Sequence, residues 1–283
     1  MKIIYFDIDG TLRDENSGVS EKTKYMINEC KKNGIFTVVC TGRNVGSIQQ
    51  DIFNLKTDGL IYGGGCCVTF KDKLLKENVL PVSLVLNMLD KIERKQLKGM
   101  TIETKDNVYM NEWAAKIHKN SFNQKTMQLS QKEKENVMSA NRFLYENNIK
   151  SFEPYGEDVF KMCLVDDRDT FAELKEELEG RCNVVQFIKI DTEWLLECTP
   201  LDCDKGSAIN FLNEFLGIKK NESMSFGDGE NDITMFEATG TGIAMKDSSS
   251  KTQSAADAVC GSVKEDGIYK ELVNRKLIKE CEE

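Results

Sequence analysis

One histidine, three prolines and no run of about eighteen apolar residues set limits on this 283-residue chain before any motif is considered. With His118 alone, a His-rich zinc centre is excluded, and so is any Ser-His-Asp or Cys-His nucleophilic scheme that does not use that residue. The stretch from Trp113 to Lys119 reads as a helix on which His118 takes a half-exposed position. So few prolines argue against long disordered linkers. The ten cysteines include no C-x-x-C pair and no regular framework, and the adjacent Cys66 and Cys67 are poorly placed to bridge each other. Free thiols in a reducing cytoplasm are expected. Charges at Lys2 and Asp7 predict no secretory signal, and no segment is expected to anchor the chain in a membrane. Positive charge is also scarce: a net charge of -9 opposes binding to nucleic acid or anionic membranes through the bulk surface. The expected partner is a small molecule. Nothing in the sequence bears on oligomeric state.

What is present is ordinary for a globular protein, with 40% hydrophobic and 30% charged residues, and the length suits two domains. The chain is organised around its first dozen residues. Ile3 to Phe6 form an apolar run suited to a central parallel strand buried on both faces, and it ends abruptly in Asp7-Ile8-Asp9-Gly10. Gly10 permits a sharp turn and a close backbone approach. A calcium loop is excluded, because Thr11 and Leu12 stand where its third acid and its glycine belong, and Gly18 where its bidentate glutamate belongs.

Further strands end in the same manner. Ser20 is placed to cap a helix through about Lys32, with Gly34 beyond it. Ile35 to Cys40 reads as a second buried strand ending in Thr41-Gly42-Arg43, and Gly59 to Tyr62 as a third ending in three glycines. This is the pattern of a doubly wound α/β sheet with its site along one edge. From Pro81 the pattern changes to helical and then to an α+β mixture, with strands expected at Met100 to Glu103, Val108 to Met110, Val159 to Val165 and Val184 to Ile190. The first architecture is expected to resume at Glu193, with a strand over Trp194 to Cys198, and then a helix from Lys205 that turns Ile209, Leu212 and Phe215 inward. A strand over Ser223 to Phe226 follows, running into Gly227-Asp228-Gly229-Glu230-Asn231-Asp232. Residues 1–80 and 192–283 should therefore share one core, with residues 81–191 inserted as an α+β cap, hinged near Lys76 to Pro81 and Lys189 to Glu193.

Segment ends thus supply Asp7, Asp9, Thr41, Lys205, Asp228 and Asp232. Carboxylates gathered in one crevice repel by ~4 kcal/mol per pair at ~4 Å and an effective dielectric near 20, so something positive must hold them together. With oxygen donors throughout, a hard divalent cation is favoured, and Mg²⁺ leaves room for waters and a phosphate oxygen. Thr41, Lys205 and backbone amides near Asp9 and Gly42 would balance the remaining phosphate charge.

These residues resemble the haloacid dehalogenase-like phosphohydrolases, and within them the Cof-type subclass, whose large α+β cap lies between the second and third motifs. Asp7-Ile8-Asp9-Gly10-Thr11-Leu12 is similar to the first motif, Val39-Cys40-Thr41-Gly42-Arg43 to the second, Asp204-Lys205-Gly206 to the third and Gly227-Asp228-Gly229-Glu230-Asn231-Asp232 to the fourth. The resemblance implies an Mg²⁺-dependent phosphatase acting on small phosphomonoesters such as sugar phosphates. Asp7 would be the nucleophile and form an aspartyl-phosphate, and Asp9 the general acid and base. Thr41, Gly42, Arg43, Lys205 and Asn231 would hold phosphate, and Asp7, Asp9, Asp228 and Asp232 would form the metal site. Gly63 departs from the asparagine usual in relatives, and Pro200-Leu201-Asp202-Cys203 from their Pro-x-Gly-Val. Cap loops, with Trp113 among the candidates, would select the leaving group. A phosphomutase is an alternative of the same superfamily. A phospho-accepting receiver is a rival of another class, opposed by Asp9 and by the long insertion. A dinucleotide-binding oxidoreductase is disfavoured, because Gly227-x-Gly229-x-x-Asp232 lacks the last glycine of that fingerprint.

Overall fold

The computed structural model describes residues 1–140, 147–190 and 193–281. Strand β1 (Ile3–Phe6) is buried along its whole length. Its alternating side chains serve two cores: Ile4 and Phe6 pack with Met26, Ile27 and Phe226, whereas Ile3 and Tyr5 pack with Val38, Ile209 and Leu212. Helix α1 (Glu21–Lys32) begins where the Ser20 hydroxyl accepts a hydrogen bond from the Thr23 amide at 3.1 Å, and Lys31 and Lys32 lie in its last turn. Strand β2 (Phe36–Cys40) runs parallel to β1. After the short helix α2 (Gln50–Phe53), β3 (Gly59–Tyr62) runs parallel to β2. Strands β4 (Cys67–Phe70) and β5 (Lys73–Glu77) then form a hairpin whose turn residues, Lys71 and Asp72, both have positive φ.

Helix α3 (Val82–Glu93) opens the inserted segment. It is followed by β6 (Gly99–Thr104), β7 (Val108–Met110), α4 (Glu112–Thr126), α5 (Gln131–Ala140), β8 (Asn147–Asn148), β9 (Val159–Asp166), α6 (Arg168–Leu178), β10 (Asn183–Ile190) and β11 (Glu193–Thr199). Ser130 and Glu133 cap α5 reciprocally. The strands make a sheet ordered β10-β11-β9-β6-β7-β8, antiparallel except for β7 with β8. Met100, Ile102, Met162, Leu164, Leu196 and Cys198 bury one face against Leu84, Val85 and Met88 of α3 and Phe171, Leu174 and Leu178 of α6. Trp113 and Ile117 of α4 pack on Cys163, Val165 and Leu195. Trp113 is therefore a packing residue of this sheet.

Helix α7 (Lys205–Leu216), β12 (Ser223–Gly227), α8 (Ile233–Ala238), β13 (Thr241–Met245), α9 (Ser250–Ala255), β14 (Ala258–Cys260) and α10 (Gly267–Asn274) complete the chain. Among the described residues, the first sheet is ordered β14-β13-β12-β1-β2-β3-β4-β5, parallel from β14 to β3 and antiparallel at the β4-β5 edge. This is a doubly wound α/β sheet with β1 at its centre.

The chain forms two compact units, one of Met1–Gly42, Ile48–Glu77 and Asp204–Glu283, the other of Arg43–Ser47 and Asn78–Cys203. Three expectations need correction. The core resumes at Asp204 and not near residue 192, because β11 pairs with β9 and β10; a short apolar strand carries no mark of which sheet it will join. Of the stretch expected as a hinge at Lys189 to Glu193, Lys189 and Ile190 belong to β10 and Glu193 to β11, with Ile190 paired to Glu193, and residues 191–192 lie outside the described residues. Phe215 is 59% exposed: the buried stripe of α7 runs through Ala208, Ile209 and Leu212, and Phe215 falls about a quarter turn from it.

Candidate active site

The carboxyl ends of β1 and β12 meet, since Phe6 pairs with Phe226 and the Asp7 amide donates to the Phe226 carbonyl at 3.0 Å. Asp7 and Asp228 therefore emerge side by side from adjacent parallel strands. Gly10 makes room for them: its φ is +79°, and a β-carbon there would lie 2.4 Å from an Asp228 carboxylate oxygen. The Thr11 hydroxyl, from the same turn, donates to Asp228 Oδ1 at 3.2 Å.

Lys205 enters from the first turn of α7. Asp204 caps that helix, accepting from the Ser207 amide at 2.9 Å, and Tyr5 ties the helix to β1 by donating to Asn213 at 2.8 Å. The loop after β3 comes close at the same point: Gly65 has φ +103°, and a β-carbon there would lie 2.1 Å from the Asp204 carbonyl oxygen. The glycines of that loop let its backbone lie against the start of α7 and hold Lys205 inward. Lys205 Nζ donates to Asp7 Oδ1 at 2.6 Å and to Asp232 Oδ1 at 2.5 Å, and is itself only 2% exposed. The other oxygen of Asp232 accepts from the amides of Asp228 and Gly229 at 3.0 and 2.9 Å, so its carboxylate also shapes the loop that carries Asp228.

Asp7, Asp228 and Asp232 each offer a ligand oxygen within 4.8 Å of the others. Burial pushes the Asp7 carboxyl up to about 8, with Lys205 pulling it down and Asp232, Asp228 and Asp9 pushing it further up. Asp228 rises to about 6, by burial first and then by repulsion from Asp232. Against the cost of its own burial, Lys205 is held above its ordinary value by Asp232 and Asp7. One ammonium facing this many carboxylates leaves negative charge uncompensated. The donors are all carboxylate oxygens, and a hard divalent cation fits them. The neighbouring Cys40 thiol is driven up by burial and stays protonated, so it offers no thiolate nucleophile.

Of the remaining expected residues, Asp9 is near enough to act on both Asp7 and Asp228 but stands outside the group of three. Thr41 is buried at the end of β2, where its amide donates to Ile61 and its carbonyl accepts from Gly64. Asn231 faces Gly42, its amide nitrogen 3.9 Å from where a β-carbon would be. Arg43 belongs to the second unit and donates to the Ser47 carbonyl at 3.1 Å. Two features escaped the sequence reading. Thr11 gave a signal as a hydroxyl beside the paired acids, whereas the part played by Gly65 depends on what its backbone meets in space.

The sequence model of the haloacid dehalogenase-like hydrolases matches residues 4–272. The chain belongs to that family. It is an enzyme, a hydrolase acting on phosphoric monoesters. A Bacillus subtilis (strain 168) relative, the 5-amino-6-(5-phospho-D-ribitylamino)uracil phosphatase YwtE, is 24% identical over 277 residues, covering 95% of this chain and 96% of its own. The HMP-PP phosphatase of Escherichia coli O6:H1 is 25% identical over 252 residues, covering 86% and 84%. Among solved structures, BT1666 from Bacteroides thetaiotaomicron superposes with a TM-score of 0.79 at 21% identity over 98% of this chain and 96% of its own. The subclass IIB sugar phosphatase BT4131 gives 0.73 at 24% identity over 98% and 100%. Both share the fold.

Proposed function

We propose that the chain hydrolyses small phosphorylated metabolites in two displacements at phosphorus, with Asp7 as nucleophile and Mg²⁺ as cofactor. The observation that carries this reading is the Asp7-Lys205-Asp232 arrangement, with Asp228 in reach of the same point. In the first step an Asp7 carboxylate oxygen bonds to phosphorus as the ester P–O bond breaks, and Asp9 gives its proton to the departing oxygen. In the second, Asp9 takes a proton from water, the water oxygen bonds to phosphorus, and the bond to Asp7 breaks to release phosphate and restore the carboxylate. Lys205 holds Asp7 aimed and balances phosphoryl charge, with Thr41, Gly42 and Asn231 lining the same strand ends. Asp7, Asp228 and the Asp9 carbonyl would hold the cation, with Asp232 beside them, and the bound cation would supply charge neutralisation to the phosphoryl oxygens. The named relatives act on small phosphorylated metabolites, which supports substrates of that kind. The inserted unit of residues 81–191, extended by the structure to Asn78–Cys203, is proposed to set specificity.

Acid quenching during turnover of an aryl phosphate, followed by peptide mass spectrometry, should find a phosphoryl group on Asp7. Asp7→Asn should lose turnover by about 10³-fold or more while staying folded. Near-normal activity in that variant would falsify the mechanism.

A further inference from the structure

Asp9 stands on a turn that is held by the residue four positions further on. The Arg13 amide donates to the Ile8 carbonyl at 2.9 Å, and the Arg13 carbonyl accepts from the Gly10 amide at 2.9 Å, so the Arg13 backbone grips the peptide group on each side of Asp9. Two longer bonds support the same turn: the Thr11 amide donates to the Ile8 carbonyl and the Leu12 amide to the Asp7 carbonyl, each at 3.3 Å. Where the Asp9 carboxyl points therefore depends on where Arg13 sits.

The Arg13 side chain is fixed in turn. The residue is 2% exposed, and an arginine so deep is rare unless paired. Its Nε donates to Asp51 Oδ2, in the first turn of α2, at 3.1 Å, and its Nη1 reaches the carbonyls of Asp14 and Glu15 at 3.4 and 3.5 Å. The same Asp51 oxygen accepts from the Val19 amide at 3.2 Å, while the other accepts from the Ile52 amide at 3.0 Å. Between these points Asp14 and Gly18 exchange backbone hydrogen bonds at 3.2 and 2.9 Å. One carboxylate thus closes the excursion of residues 13–19 at both ends and ties it to α2. Every group named lies in the first unit.

An apolar side chain would fill this space at less cost. A buried guanidinium gives up its hydration, and a partner whose side chain is 31% exposed returns only part of it. What the guanidinium supplies is direction: it is planar, and its donors at Nε and Nη1 set both the depth and the rotation of the residue whose backbone brackets Asp9. A catalytic group displaced by about 1 Å can lose about 10²-fold in rate. We propose that Arg13, anchored by Asp51, is a positioning residue that holds Asp9 for proton transfer. This rests on the acid and base role given to Asp9 above and adds the residues that aim it.

An alkyl oxygen leaves phosphorus only with a proton, whereas p-nitrophenolate leaves without one, so a misaimed Asp9 penalises the alkyl ester selectively. The test is the ratio of kcat/KM for the best-used of glycerol, pentitol and hexose monophosphates to kcat/KM for p-nitrophenyl phosphate. Partial unfolding lowers both values alike and leaves this ratio unmoved. Arg13→Met should lower the ratio by about tenfold or more and Asp51→Ala by about threefold or more, with Arg13→Lys, which keeps the charge, between Arg13→Met and the wild type. A wild-type ratio in Arg13→Met overturns the proposal, even if both activities fall together. If Arg13→Met fails to fold by circular dichroism, Asp51→Ala, at a partly exposed side chain, decides on the same criterion. A wild-type ratio in Asp9→Asn overturns the acid role of Asp9 itself, an outcome distinct from one in which Asp9→Asn moves the ratio and Arg13→Met does not.

Discussion

Lys205 in the first unit and Lys161 in the second each lie between two carboxylates, but their surroundings differ. Around Lys205 the acids are tied down: Asp232 also accepts two backbone amides, Asp228 accepts the Thr11 hydroxyl, and the lysine is 2% exposed at the start of a capped helix. Around Lys161 one carboxylate, Glu103, lies at 2.9 Å and the other, Glu197, stands at 3.6 Å, and two nearby polar atoms, Thr101 Oγ1 and His118 Nε2, have no hydrogen-bond partner among the described residues. A group whose geometry is fixed in advance suits one repeated chemical step. The same contrast holds for the sheets. The parallel one is buried on both faces and presents its strand ends, and the antiparallel one leaves part of a face polar.

The largest expected effect falls on the first group. Chelation of divalent cations should abolish turnover and added Mg²⁺ should restore it, as followed by phosphate release; full activity after exhaustive chelation would remove the cation from the comparison. Cation binding should also weaken as pH falls from 8 towards 5. Asp7, pushed to about 8, and Asp228, pushed to about 6, are increasingly protonated over that range and must lose protons to bind, which calorimetry in buffers of different ionisation enthalpy would register.

Next in size is a paired substitution. Lys205→Met leaves two buried carboxylates facing each other and should cost ~3 kcal/mol of stability along with most of the activity. Lys161→Met should cost less, ~1 kcal/mol, because burial already raises Glu103 towards its neutral form and Glu197 can reach water. Thermal melts read both, and equal losses would erase the distinction between the groups. The smallest effect should come from Thr11→Val, which removes one hydrogen bond to Asp228; a loss of about fivefold in kcat is expected, with little change in melting temperature.

Much of the first unit was legible because its signals are local. Apolar runs ending in Asp7, Thr41 and Asp228 and the Ser20 cap each declare themselves within a few residues. What stayed hidden depends on pairing across long separations. Nothing in Trp194 to Thr199 says that its neighbours are β9 and β10, and nothing in Arg43 says that it joins the second unit. Lys161 did leave a trace, as a lysine inside the otherwise apolar run from Val159 to Val165, but its meaning required Glu103 and Glu197 beside it. His118 is half-buried as expected, whereas the lack of a partner for its Nε2 among the described residues is visible only in three dimensions.

The short excursion Arg43–Ser47 bears on any attempt to trim the protein. Asn44 donates to the carbonyls of Thr104 and Asn107 at 2.8 and 3.0 Å, and the Gly46 amide donates to Lys105 at 3.1 Å, with no space for a β-carbon at Gly46 beside Asp106. Splicing Glu77 directly to Asp204 would delete every one of those acceptors and strand the pentapeptide with nothing to lean on. A minimal version of the enzyme would have to be cut in two places and given a rebuilt loop after Gly42.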